Sequence, residues 1–251
     1  MILYKSMSEI DTMRKSGHIV ALVLDHLSSI VRPGITTWDL EEAALDFLKA
    51  TEPSAIPAFK GYMGYPTSLC VSINDEVVHG IPSKKRIIKE GDVVSIDFGV
   101  FYNGYAGDAA TTIIAGKGTP EAENLLKITR ESLYEGIKHA KVGNYLHDIS
   151  AAIQEYVEDH GYSVVRELVG HGIGQSMHEA PQVPNFGEKG TGIIIRPGLT
   201  IAVEPMVTTG NYDVVFLNDG WTAVTTDGSL AAHFEHSLAI TSQGTFILTE
   251  L

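Results

Sequence analysis

The sequence is poor in cysteine, in long apolar runs and in basic residues. One cysteine in 251 residues excludes an internal disulfide. No apolar run reaches the roughly 18 residues of a membrane-spanning helix. The start of the chain, MILYKSMSEIDTM, lacks the apolar core of a signal peptide. We therefore expect a cytoplasmic protein that has no membrane segment.

The charge balance narrows the class of protein further. The chain has 18 Lys and Arg against 31 Asp and Glu, a net charge of −13. Such acidity argues against a dedicated nucleic-acid-binding protein and is consistent with simple solubility. A hydrophobic content of 44%, with 25 Gly and 10 Pro, supports a sizeable core with many turns.

Two segments of the chain repeat one helical pattern. RPGITTWDL begins at Arg32 and KVGNYLHDI begins at Lys141, and each separates a long helical pattern from a shorter one. Ser8 is the predicted N-cap of the first long helix, and Thr119-Pro120 the predicted start of the second. The shorter helices are predicted over residues 38–50 and 147–160.

The repeat continues into the predicted strands, and in each half an apolar strand ends at an acidic residue. IKEGDVVSID ends at Asp97 and IRPGLTIAVE ends at Glu204, each six residues after a glycine. Asp108 opens the strand pattern DAATTII, and Glu235 lies in HFEHSLAIT. Chance similarity of two α/β segments is the alternative. We predict one catalytic domain, residues 1–251, built of two similar halves (about 1–115 and 116–251) whose four carboxylates meet at a shared axis.

Four converging carboxylates either stay protonated or surround cations. In VGHGIGQSMHEAPQ, His171 lies between two glycines that allow a close approach of the backbone. One imidazole and four carboxylates suit Mn²⁺, Fe²⁺ or Co²⁺ better than a thiolate-bound zinc. With two bridging carboxylates they could hold two ions about 3.5–4 Å apart. The predicted ligands are Asp97, Asp108, His171, Glu204 and Glu235.

Other catalytic motifs are absent from the sequence. GHGIG is followed by no third glycine at the spacing of a dinucleotide-binding turn, and HEAPQ is not the HExxH of a zinc protease. No GxSxG and no Walker A motif occurs.

The chain resembles the bacterial type I methionine aminopeptidases, which are pita-bread metallopeptidases. The segments that carry the resemblance span nearly the whole chain: AFKGYMGYPTSLCVSINDEVVHGIP, IDFGVFYNGYAGDAA, LVGHGIGQSMHEAPQVPNF, AVEPM and DGWTAVTTDGSLAAHFEHS. The resemblance implies an α+β, pseudo-two-fold pita-bread fold, in which helices pack on the outer face of a curved, mostly antiparallel sheet.

The resemblance also implies roles for residues. Asp108 and Glu235 match the bridging metal ligands, and Glu204 matches the ligand that also takes and returns a proton. His79 matches the histidine that contacts the substrate amide nitrogen, and His178 the one that stabilises the tetrahedral intermediate. The matching substrate-binding residues are Phe59, Tyr62, Tyr65, Cys70, His79, Met177, His178 and Trp221. For the apolar members the residue pattern alone predicts ordinary core, and for Cys70 an inert buried thiol.

Phe59 and Met177 differ from residues common in the family, and we expect them to reshape the mouth of the pocket. A monovalent-cation site would use Asn74, Glu76 and Ala231, of which Glu76 and Ala231 depart from the family's pattern. The basic segment SKKRIIKEG, residues 83–91, either binds ribosomes or forms a solvated loop.

The implied activity is that of a methionyl aminopeptidase, a dinuclear metal-dependent hydrolase. It would remove the N-terminal methionine of nascent proteins and peptides when the second residue is small. The nucleophile would be a water or hydroxide bridging two divalent ions (Mn, Fe, Co or Zn). We expect a monomer whose partners are nascent N-termini. The alternatives are an aminopeptidase P or dipeptidase, which activity on Xaa-Pro peptides would reveal, and an inactive binding module, which would have lost ligands.

Overall fold

The structure, a computed structural model, describes all residues from 1 to 251. Four α-helices account for its helical part, and a short 3₁₀ turn covers Tyr62–Gly64. The helices are α1 (Met7–Ile30), α2 (Thr37–Thr51), α3 (Pro120–His139) and α4 (Leu146–Asp159). None of the helices is long and apolar enough to cross a membrane.

Fifteen strands form one large sheet and two small ones, and all of the strand pairs are antiparallel. The strands are β1 (Ile56–Pro57), β2 (Leu69–Ile73), β3 (Glu76–Val78), β4 (Val93–Tyr102), β5 (Tyr105–Ile114), β6 (Ser163–Val164), β7 (Gly170–Gly172), β8 (Glu179–Val183), β9 (Leu199–Val203), β10 (Met206–Thr208), β11 (Val214–Phe216), β12 (Ala223–Thr225), β13 (Ala231–His233), β14 (Glu235–Thr241) and β15 (Gly244–Ile247).

The large sheet crosses the whole molecule and joins the two parts of the chain at its centre. Its nine strands follow the order β1-β4-β5-β14-β9-β7-β8, with β2 added to β4 and β15 to β14. Pairing between β5 and β14 is short, Glu235 with Ala110 and His236 with Ala109. The small sheets have the orders β13-β10-β6 and β11-β12-β3.

Each part of the chain packs a separate apolar cluster between its helices and its strands. The first cluster joins α1 and α2 to β2, β4 and β5, with Leu27, Leu40 and Phe98 fully buried. The second joins α3 and α4 to β9 and β14, with Leu125, Ile149 and Leu238 fully buried. The order helix, helix, strand, strand therefore recurs. The division of one domain into two similar halves stays a prediction.

The helix starts agree with the sequence pattern except at α1. Thr119 caps α3 and Pro120 follows as its first residue, which confirms that prediction. The prediction of Ser8 as the N-cap of α1 was wrong, because the cap is Ser6. Ser6 has Glu9 three residues on: the Ser6 hydroxyl accepts from the Glu9 amide, and the Glu9 carboxylate accepts from the Ser6 amide at 2.7 Å. This reciprocal capping favours the earlier start.

A buried ion pair joins the N-terminal segment to the first residue of β8, next to the loop between β7 and β8. Lys5 Nζ contacts Glu179 Oε2, and the two side chains are 5% and 7% exposed. Lys5 also donates to the Leu3 carbonyl at 3.1 Å, and Glu179 accepts from the Ser176 amide at 3.2 Å. The pair therefore fixes the loop of residues 174–178.

Replacing Lys5 should be strongly destabilising. Lys5→Met leaves the Glu179 carboxylate buried without its partner, which typically costs about 3–5 kcal/mol. Urea denaturation would measure the loss. Lys138→Met is the matched control, because Lys138 pairs with Glu135 in an exposed position and such pairs contribute about 0–1 kcal/mol. Equal losses for the two variants would contradict a structural role for the buried pair.

Candidate metal centre and active site

A tight hairpin places the first two candidate ligands on one face of the sheet. Asn103 and Gly104, both with positive φ, form the two-residue turn between β4 and β5. The resulting register sets Asp97 opposite Ala110, and Asp108 opposite Gly99. The two aspartates are thus diagonal neighbours on the same face.

The other three candidate ligands come from the next three strands. Glu235 begins β14 opposite Ala110, so it lies across β5 from Asp97. Glu204 directly follows β9, which pairs with β14, and His171 is the central residue of β7, which pairs with β9. Five adjacent strands, β4, β5, β14, β9 and β7, therefore each supply one candidate ligand.

The five side chains converge at distances that suit metal binding. Single ligand atoms of Asp108, His171 and Glu235 all lie within 4.8 Å of one another. His171 Nε2 is 3.8 Å from Asp108 Oδ2 and 3.6 Å from Glu204 Oε1. One buried oxygen on each of Asp97, Asp108 and Glu235 has no hydrogen-bond partner. Unpartnered buried oxygens beside an imidazole fit divalent cations of the Mn²⁺, Fe²⁺ or Co²⁺ type.

The protonation of the site without cations follows from burial. Burial raises the pKa of Asp97 to about 7 and that of Glu204 to about 8. It also raises the pKa of Asp108 and Glu235 well above the usual range, and neighbouring carboxylates add to that rise. The four carboxylates thus hold protons near neutral pH that a bound cation would displace.

His171 is poised in the form that binds metals. Burial, with His178 close by, lowers the pKa of His171 to about 4, so the ring is neutral at neutral pH. Its Nδ1 lies 2.9 Å from the Gly172 carbonyl oxygen, which can only accept a hydrogen bond. The hydrogen therefore lies on Nδ1, and Nε2 presents a lone pair toward the carboxylates.

A cavity of about 210 Å³ opens beside the five candidate ligands. The structure places seven of the eight predicted substrate-binding residues in its wall, and Met63, which the sequence did not indicate, joins them. The wall residues besides the ligands are Phe59, Tyr62, Met63, Tyr65, Cys70, His79, His178 and Trp221. Met177 does not line the cavity; it is 1% exposed and belongs to the buried cluster that contains Phe59 and Cys70.

The aromatic side chains of the cavity wall contact one another. His178 stacks on Tyr62, with Nδ1 2.8 Å from the Tyr62 hydroxyl, and its ring centroid lies 4.1 Å from that of His171. Trp221 meets Tyr65 edge to face at 5.1 Å. His79 has a positive φ of 60°, and burial, followed by the influence of His233, lowers its pKa to about 4.

Sequence reasoning missed two residues that contact Glu204. His233 is 2% exposed and its Nε2 lies 3.6 Å from Glu204 Oε2. Asn185, fully buried, donates from Nδ2 to the main-chain carbonyl of Glu204 at 3.0 Å. The spacing of His233 and Glu235 in HFE is a signal for His233, because alternate residues of an extended chain share a face. No pattern singles out Asn185.

The residues of the predicted monovalent-cation site form hydrogen bonds and an ion pair with one another and with neighbouring residues. The Asn74 carbonyl accepts from the Ala231 amide at 2.8 Å. Glu76 accepts from the Ile73 amide at 2.8 Å and pairs with Arg86 at 3.2 Å. The side chain of Glu76 is thus already used within the protein, and cation binding by this group stays a prediction.

Comparisons with known proteins agree with this geometry. The model of metallopeptidase family M24 matches residues 11–242. Methionine aminopeptidase of Clostridium acetobutylicum is 52% identical, with 99% of each chain covered, and methionine aminopeptidase 1 of Bacillus subtilis is 49% identical, with 100% of each covered.

Solved structures give the same result for the fold. The crystal structure of methionine aminopeptidase from Thermotoga maritima superposes with a TM-score of 0.97 at 49% identity, covering 100% of both chains. The prolidase from Pyrococcus horikoshii shares the fold alone, at a TM-score of 0.75 and 21% identity over 64% of its chain. The predicted pita-bread architecture, a curved antiparallel sheet with helices on its outer face, is confirmed. The chain therefore belongs to metallopeptidase family M24 and, within it, to the methionine aminopeptidases.

Proposed function

We propose that this protein is a dinuclear metal-dependent hydrolase that removes the N-terminal methionine of polypeptides whose second residue is small. The observation that carries the proposal is the convergence of five candidate ligands from five adjacent strands beside a partly apolar cavity. The names of the relatives, methionine aminopeptidases over their full length, support the substrate.

The five ligands divide naturally between two cations. Asp108 and Glu235 lie on the two central strands and would be shared between the cations, and Asp97, His171 and Glu204 would complete the set of ligands. Mn²⁺, Fe²⁺, Co²⁺ and Zn²⁺ all accept this set of oxygen and nitrogen donors. Two such ions, when bound, bring the pKa of a water between them near neutrality and polarise the peptide carbonyl.

The residues around the ions would handle protons and charge. Glu204 would accept the proton of the attacking water and return it to the departing amine. When Tyr62 donates its hydroxyl hydrogen to His178 Nδ1, the hydrogen of the neutral imidazole lies on Nε2. That hydrogen would stabilise the oxygen of the tetrahedral intermediate. His79, in the wall of the same cavity, would contact the amide nitrogen of the substrate.

The cavity supports a preference for methionine. Phe59, Tyr62, Tyr65, Cys70 and Trp221 present a largely apolar surface next to the candidate ligands. A flexible thioether side chain fits an irregular apolar cavity well and makes favourable contacts with aromatic rings. Met177, which is not part of this wall, would contribute by packing in the same cluster as Phe59.

The second residue of the substrate should decide the rate. His79 and His178 enter the same cavity, so a large side chain after the scissile bond should be crowded. We expect Met-Ala-Ser to be cleaved at least about tenfold faster than Met-Leu-Ser, a difference of about 1.4 kcal/mol in activation free energy. Release of free methionine at equal peptide concentrations measures this. Equal rates would contradict the proposed specificity.

Xaa-Pro peptides separate this proposal from the alternative activity on the same fold. The protein should not hydrolyse Xaa-Pro dipeptides. Rapid cleavage of Xaa-Pro, with none of Met-Ala-Ser, would instead support a prolidase-type enzyme. We also predict a monomer that acts on nascent chains. Salt-sensitive cosedimentation with ribosomes would distinguish the two alternatives for residues 83–91, a ribosome contact or a solvated loop.

A further inference from the structure

The carboxylate of Glu204 lies between two imidazoles. Its Oε1 is 3.6 Å from His171 Nε2, and its Oε2 is 3.6 Å from His233 Nε2. In the proposed metal site His171 and Oε1 share one cation, which leaves Oε2 facing His233. A role for His233 at this carboxylate rests on the metal-binding part of the proposed function.

His233 is held rigidly and yet has an unused polar atom. Its main-chain amide donates to the Thr112 hydroxyl at 3.0 Å, and its carbonyl accepts from that hydroxyl at 2.7 Å. The residue is 2% exposed, and Nε2 has no hydrogen-bond partner. A buried donor without a partner is costly, so an unpaired Nε2 next to a carboxylate indicates a function.

His233 faces the oxygen of Glu204 that His171 does not face. His171 and His233 approach opposite oxygens of the one carboxylate. A donor that fixes the second oxygen of a metal-binding carboxylate is a common outer partner of metal ligands.

We propose that His233 is a positioning residue for Glu204: its Nε2–H donates to Oε2 and thereby holds Oε1 toward His171 for cation binding. A neutral ring with its hydrogen on Nε2 satisfies both groups, because the carboxylate oxygen only accepts. Asn185 holds the main chain of Glu204 from the other end, so the carboxylate is fixed at both its backbone and its outer oxygen.

The test compares Co²⁺ affinity in the full chain and three variants. Co²⁺ is titrated into metal-free protein in competition with a chromophoric chelator, and its visible absorption reports the ligand geometry. His233→Phe keeps an aromatic ring but has no donor, and we expect its Co²⁺ affinity to fall about 10–100-fold. In His233→Gln the amide nitrogen can replace Nε2–H, so affinity and spectrum should stay close to those of the natural protein.

His236→Leu is the matched control. His236 is partly buried, but its ring bonds to Thr249 and Tyr134, and no hydrogen bond or ion pair joins it to a candidate ligand. Its loss should leave Co²⁺ affinity nearly unchanged even where stability falls. An equal drop for His236→Leu and His233→Phe would overturn the proposal, because the effect would then be general disruption.

Four further outcomes are possible. Undiminished affinity in His233→Phe overturns the positioning role, and so does a His233→Gln variant as weak as His233→Phe. If His233→Phe does not fold, as judged by its melting curve without metal, His233→Leu takes its place with the same expected loss. Failure of the natural protein to bind Co²⁺ would instead refute the proposed metal site itself, so the two failures are distinguishable.

Discussion

Dialysis against a strong chelator should abolish methionine release, and Mn²⁺ or Co²⁺ should restore it. The reason lies in the four carboxylates around His171: burial raises the pKa of each, and without cations nothing polarises the peptide carbonyl or lowers the pKa of the attacking water. The loss should be complete within detection and reversible. Methionine release from Met-Ala-Ser, paired with elemental analysis of the dialysed protein, measures it.

Metal should also stabilise the folded protein. A ligand that binds only the folded state adds about 2.7 kcal/mol at a concentration of one hundred times Kd. For a chain of this size each kcal/mol raises the melting temperature by about 2–4 °C, so the shift should be about 5–10 °C. Binding should release protons, because the cation displaces those held by the buried carboxylates. Calorimetric titration in two buffers of different ionisation enthalpy counts the protons and also the ions, of which we expect two per chain.

A matched variant separates specific binding from a general effect of cations. Asp25→Asn removes an acid of α1 that is not among the predicted ligands, and its metal-dependent shift should equal that of the natural protein. Full activity in protein shown to be free of metal would refute a metal mechanism altogether.

The five candidate ligands could be predicted because the chemistry constrains them strongly. Burying an aspartate in an apolar strand costs free energy unless its carboxylate has a partner. Asp97 and Asp108 therefore stand out from the apolar strand patterns in which they occur. The turn residues Asn103 and Gly104 then fix the register that puts both aspartates on one face. The repeated spacing from glycine to acid pointed to Glu204 in the same way.

Residues whose importance depends on long-range packing could not be predicted. Asn185 follows β8 and bonds to a carbonyl nineteen residues further along the chain, a contact that no local pattern encodes. Met63 enters the cavity wall because a left-handed turn at φ 49° directs its backbone there. Met177 was expected in the cavity, but its side chain is buried against Gly99, where any Cβ would collide with it, in the same cluster as Phe59. Such placements follow from the tertiary structure alone.

Replacing each of the two histidines of GHGIGQSMH with alanine should affect metal binding differently. His171 is a proposed ligand whose Nε2 faces the carboxylates, so His171→Ala should lose metal affinity together with activity. His178 lies in the cavity wall with its Nδ1 near the Tyr62 hydroxyl, and no carboxylate lies within ion-pair distance of its ring. His178→Ala should therefore keep nearly normal metal content.

The kinetic effect of His178→Ala should lie in kcat. Loss of one donor to a developing oxyanion typically costs about 10²–10³ in kcat. KM should change less, because the hydrogen bond strengthens only as charge builds on the oxygen. His178→Gln, whose amide can still donate, should recover part of the rate. Steady-state kinetics on Met-Ala-Ser and elemental analysis of each purified variant test both statements. If His178→Ala loses its metal as His171→Ala does, then His178 belongs to the ligand set and the proposed division of roles is wrong.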